Sequence, residues 1–215
     1  NYNTAIGERT LHENVNSNRN VAVGFQALYN HSTTNATDCY NTAVGYAAGT
    51  SVTTGTDNTI VGGLAGDALT TGALNVAIGK AALSAEDTGS ANVAVGHAAL
   101  MSQNYDGSGY NTAVGHNAGT AVTSGIQNTL MGALAGDSLT TGTNNVAIGF
   151  EALATEDEHS FNVAVGHRAL KTQNAGASAY NTALGYNAGL SVTTGVRNTL
   201  IGGLTGDALT TGAGN

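Results

Sequence analysis

The sequence predicts an all-β protein, a parallel β-solenoid or β-roll of about twelve coils of 17 residues. Three observations lead there. One short phrase opening on Asn recurs along the chain, at Asn3, Asn20, Asn41, Asn58, Asn75, Asn92, Asn111, Asn128, Asn145, Asn162, Asn181, Asn198 and Asn215. The spacing is 17 residues in nine of the twelve intervals and 19 or 21 in the other three, too short for a unit that could bury an apolar face alone. Within each phrase, as in Asn75-Val76-Ala77-Ile78-Gly79, the residues alternate with period two, and no helical stripe is sustained.

Each coil reads in the same order. The opening five residues form a strand: Val76 and Ile78 share one face, while Asn75, Ala77 and Gly79 share the other. Val and Ile favour strands, and the Gly ends this one. A run such as Ala98-Ala99-Leu100 is expected to form a second short strand crossing back. Thr-Thr-Gly or an acidic stretch then turns the chain to the next Asn. Aligned Asn side chains are expected to hydrogen-bond along the stack as a ladder through Asn20, Asn41, Asn58, Asn75, Asn92, Asn111, Asn128, Asn145, Asn162, Asn181 and Asn198, fixing register. The small-residue face allows close backbone approach and is expected to pack on a sister chain. Twelve coils at about 4.8 Å each give a rod about 58 Å long.

A longer period overlies the first. Coils recur in a fixed order of four types, and residues 75–144 match 145–214 at 43 of 70 positions, so a four-coil block was duplicated whole. The chain reads as a single solenoid rod, 1–215, of three such blocks: 3–74, 75–144 and 145–214. It stops on the first residue of a further coil and is expected to be a segment of a longer fibre.

Composition excludes several functions. With a net charge of −8 and only six Lys and Arg, no basic stripe can neutralise phosphates, so nucleic acid is not an expected partner. No apolar run approaches the roughly 20 residues of a spanning helix, so no membrane insertion is expected. Cys39 has no partner for an intrachain disulfide. No Ser or Cys nucleophile recurs with a His and an acid in one geometry, so no enzyme, cofactor or metal centre is expected. Asp67, Asp137 and Asp207 follow a Gly-rich stretch that approaches a calcium nonapeptide but lie four coils apart, and read as turn residues. His97 and His116 follow the strand Gly, a slot filled elsewhere by Phe25, Tyr46, Lys80, Phe150 and Tyr186, which marks it as exposed or interfacial.

The coils opening at 20, 92 and 162 are longer, and their extra residues are expected to leave the roll as exposed loops. Candidate binding residues there are Tyr29, His31 and Tyr40; Gln103, Tyr105 and Tyr110; and Lys171, Gln173 and Tyr180. Repeated along one edge, they suit multivalent weak binding to a glycan or polymer. Tyr40, Tyr110 and Tyr180 also fit a structural role capping the turn, and Asn30-His31-Ser32 and Asn35-Ala36-Thr37 match glycosylation acceptors.

The repeated Val-Ala-Ile-Gly, Val-Ala-Val-Gly and Thr-Ala-Val-Gly resembles the head repeat of trimeric autotransporter adhesins, the YadA-like or Hep/Hag repeat, over residues 3 to 214. Similar repeats occur in phage tail fibres. The resemblance implies left-handed coils, three chains side by side, an extracellular place on a cell or virion surface, and attachment to a host receptor or glycan. Two other readings are a self-assembling end-to-end filament and an ice- or crystal-binding solenoid.

Overall fold

The computed structural model describes residues 2–176 and 178–215, in two compact units, Asn1–Tyr110 and Asn111–Asn215. The first holds β1 (Thr4–Ile6), β2 (Ser17–Asn18), β3 (Val21–Val23), β4 (Thr37–Asp38), β5 (Thr42–Val44), β6 (Thr59–Val61), β7 (Val76–Ile78) and β8 (Val93–Val95). The second holds β9 (Thr112–Val114), β10 (Thr129–Met131), β11 (Val146–Ile148), β12 (Val163–Val165), β13 (Thr182–Leu184) and β14 (Thr199–Ile201). The described residues form strands and turns with no helix.

Each unit is a parallel β-solenoid. In the first, β1, β3, β5, β6, β7 and β8 pair in that order, and in the second β9 to β14 pair in sequence order. Register is strict: Val76, Ala77 and Ile78 face Val93, Ala94 and Val95 one coil later. In the smaller sheet, β4 in the long coil opening at Asn20 pairs with β2 in the coil before it and ties the loop down.

The strand faces are the reverse of the expected arrangement. Ala77, Ala94, Ala147 and Ala164 are fully buried, as are the Asn beside them, while Val76, Ile78 and their equivalents point outward and are half-buried or exposed. The small-residue face is therefore the interior of the coil and cannot meet a sister chain. The reason is space: a 17-residue coil is so narrow that its two legs approach closely, and only Ala fits at most strand centres.

The second leg is not a strand. Its first and third residues take positive φ, as at Ala81 (55°) and Leu83 (53°), a conformation outside the β region. It still bonds to both neighbours, Ala81 N–H donating to Gly63 O at 3.1 Å and Leu83 N–H to Ala99 O at 3.0 Å. Gly79 illustrates why the strand ends on Gly: φ is 131°, and a Cβ there would lie 2.3 Å from Gly96 O in the next coil.

The Asn ladder is present in both units. The backbone N–H of Asn58 donates to Asn41 Oδ1 at 3.0 Å, and the same contact recurs at Asn75 and Asn92, then at Asn128, Asn145 and Asn162. The Asn amide also spans its own coil, Asn75 Nδ2 donating to Gly89 O at 2.9 Å. At Asn58, Asn75, Asn128 and Asn145 the side chain so satisfies two backbone groups.

The four-coil period has a packing cause. Counting the opening Asn as zero, positions 2, 8 and 11 point into the coil. Coils opening at 75 and 145 carry Ala, Leu and Glu there, those at 92 and 162 Ala, Leu and Gln, those at 41 and 111 Ala, Gly and Val, and those at 58 and 128 Ile or Leu, Gly and Leu. Leu at position 8 goes with a polar residue at position 11, and Gly at position 8 goes with an aliphatic one. A Cβ at Gly66 would lie 2.8 Å from Leu69 Cδ1, and one at Gly136 2.8 Å from Leu130 Cδ2. The large side chain moves between columns from coil to coil so that the interior stays filled.

Candidate functional site

With the interior occupied by Ala, Leu and Asn, the residues available to meet another molecule lie on the outer strand face and its flanks. Along the strands this face carries Thr or Val, then Val, Ile, Leu or Met, and no charged residue in any coil. Exposure is substantial: Val44 36%, Met131 41%, Leu184 47%. Within each unit, parallel pairing stacks these side chains about 4.8 Å apart along each column, a regular and largely apolar surface.

Rings flank both sides. On the strand's far side, after the Gly, Phe25 stacks on Tyr46 at 5.6 Å in the first unit, while Phe150, His167 and Tyr186 stack at 5.5 and 5.2 Å in the second. On the near side, just before the Asn, Phe161 stacks on Tyr180 at 5.1 Å, and the Arg19 guanidinium lies over the rings of Tyr2 and Tyr40. Arg19 (59°), Tyr40 (53°), Tyr110 (50°), Phe161 (67°) and Tyr180 (54°) take positive φ where the chain turns into a new coil. Because stacked rings cover one another's faces, these columns present ring edges and hydroxyls outward.

The loop candidates divide into two groups. Tyr40, Tyr105, Tyr110 and Tyr180 are exposed; Tyr29 is half-buried and stacks on His12 at 5.0 Å. Lys171 is half-buried and committed to Glu151, its Nζ 2.6 Å from Oε2, where the same carboxylate also accepts from Arg168. Those two cations hold the Glu151 carboxyl below its usual range.

His31, Gln103 and Gln173 correct the expectation: all three are fully buried. They occupy position 11, an inward column, ahead of the point where the extra residues leave the coil. His31 Nε2 lies 3.3 Å from Asn41 Nδ2, and Gln173 Oε1 accepts from Asn181 Nδ2 at 2.6 Å. His31 and Gln173 support the Asn ladder from inside, and all three are closed off from a ligand. Burial holds the His31 imidazole down at about 4.

Reading the sequence missed two more buried groups in the same column, Glu86 and Glu156. Burial raises both carboxyls above the usual range. Glu86 accepts backbone N–H groups from Gly89 at 2.7 Å and Tyr105 at 3.3 Å. The available signal was periodicity: both acids fall at the position where the two preceding coils carry Val and then Leu. Cys39 is also buried, which raises its thiol pKa.

No family model, curated protein or solved structure matches this chain.

Proposed function

We propose that this chain is a segment of an extracellular structural fibre or adhesin head, in which left-handed solenoids pack side by side as a trimer and carry exposed loops for attachment to a host receptor or glycan. One observation supports it above the rest. The interior of each coil is filled by its own side chains, while the outward strand face is periodic, uncharged and largely apolar. Such a surface is a liability on a lone soluble chain and an asset between chains. The contact between copies runs through Val, Ile, Leu and Thr of the strands, not through the Asn and Ala face. Tyr40, Tyr105, Tyr110 and Tyr180 remain at the edges for attachment.

Light scattering on a size-exclusion column tests the assembly. The expected mass is about three times 21.3 kDa. Val44→Lys with Leu184→Lys, one exposed outward residue in each unit, is expected to bring the mass down to that of one chain with an unchanged far-UV spectrum. A wild-type chain that stays monomeric at high concentration would overturn the trimer and the face assigned to it.

A further inference from the structure

The turn at 156–159 differs from its counterpart one block earlier, and the difference is chemical. At 86–89 the sequence is Glu-Asp-Thr-Gly; at 156–159 it is Glu-Asp-Glu-His. A Cβ at Gly89 would lie 2.5 Å from the Glu86 carboxyl carbon, so a side chain there cannot coexist with that carboxylate position. His159 stands in the equivalent place, and Glu156 has its Oε1 against His159 Nδ1. Asp157 Oδ1 lies 3.7 Å from the same nitrogen. One ligand atom from each of the three residues falls within 4.8 Å of the others.

A Glu–His ion pair would be enough to explain the cluster if it satisfied the buried acid. It does not. Glu156 is fully buried, yet Oε2 has no hydrogen-bond partner among the described residues. Glu86, by contrast, has both carboxylate oxygens bonded to backbone N–H groups. A buried carboxylate oxygen without a partner is unfavourable because its lost hydration is not replaced, and it calls for a positive group.

We propose that Glu156, Asp157 and His159 form a binding site for a divalent transition metal ion, with Zn²⁺ as the best match. Imidazole nitrogen with two carboxylates is a zinc donor set, and three protein ligands leave the fourth tetrahedral position to solvent. Calcium would need six or more oxygens and gains nothing from the imidazole. Tetrahedral zinc holds its ligand atoms about 3.3 Å apart, so Asp157 and His159 need only a small closure. Glu156 and His159 must part slightly to admit the ion. The metal links two ends of one turn and has no part in the assembly proposed above, so either idea can fail alone.

The test is isothermal titration of the full chain with zinc chloride, beside His159→Gly and Glu156→Gln, with cobalt(II) absorption as a second readout. His159→Gly recreates the residue found at Gly89, so the fold has a precedent for it. The wild-type chain is expected to bind one more equivalent of zinc than either variant and to give the intense visible bands of four-coordinate cobalt, with magnesium and calcium silent. Equal zinc uptake by the wild type and His159→Gly, or no uptake at millimolar zinc, would overturn the site.

Discussion

A single buried imidazole makes the first unit sensitive to acid. His31 is held near 4 by burial, against about 6.5 in an unfolded chain. The unfolded state therefore takes up a proton between those values while the folded state does not. Stability from this group is fully present above pH 6.5 and is lost as pH falls toward 4, by up to about 3 kcal/mol. Glu86 and Glu156 work in the opposite sense: their raised carboxyls contribute stability that is present below about 4.5 and lost as pH rises through the folded value. His31→Gln places at position 31 the residue that the other long coils carry at Gln103 and Gln173. Urea denaturation of both proteins at pH 7 and pH 4 should show the variant folded at each, with the gap between them shifting by about 3 kcal/mol in favour of the variant at the lower pH.

At the scale of the coil, packing is a rule about pairs of positions. Leu83 fills the interior where Glu86 sits beside it, whereas Gly49 sits beside Val52. A Cβ at Gly49 would lie 3.2 Å from Val52 Cγ2, so these two positions share one space. Leu83→Gly alone is expected to cost about 2 to 4 kcal/mol, the cavity partly offset by relief of a left-handed Leu. Adding Glu86→Val reproduces the Ala43, Gly49 and Val52 set, and the double variant should recover at least about 1 kcal/mol of that loss. Thermal denaturation of the four proteins gives the coupling; strictly additive effects would show that the columns do not compensate. The coil type, strand position, Gly stop and Asn ladder were legible in the sequence because they repeat at one spacing. The second leg was misread as a strand, since nothing in Ala-Ala-Leu signals alternating φ, which the close approach of the neighbouring coils imposes.

Within each unit, each coil bonds to the coils stacked on it, so stability accumulates along the stack. Six coils exceed the three or so that a repeat architecture needs. Residues 111–215 expressed alone should therefore keep a β-type far-UV spectrum and a cooperative thermal transition; an unstructured fragment would contradict nearest-neighbour stabilisation. The sequence by itself determined the solenoid, its period and its parallel register, because identical short phrases can bury their apolar groups only by stacking. It left open which strand face turns inward, since alternation separates two faces without saying which is core. Only the tertiary structure decided that, through the width of the coil: two legs this close admit Ala and Asn, and the bulkier Val and Ile are driven to the outside. Position 11 lies on the inward side of the coil and so holds His31, Gln103 and Gln173 inside, while Tyr40, Tyr105, Tyr110 and Tyr180 lie beyond it at the surface.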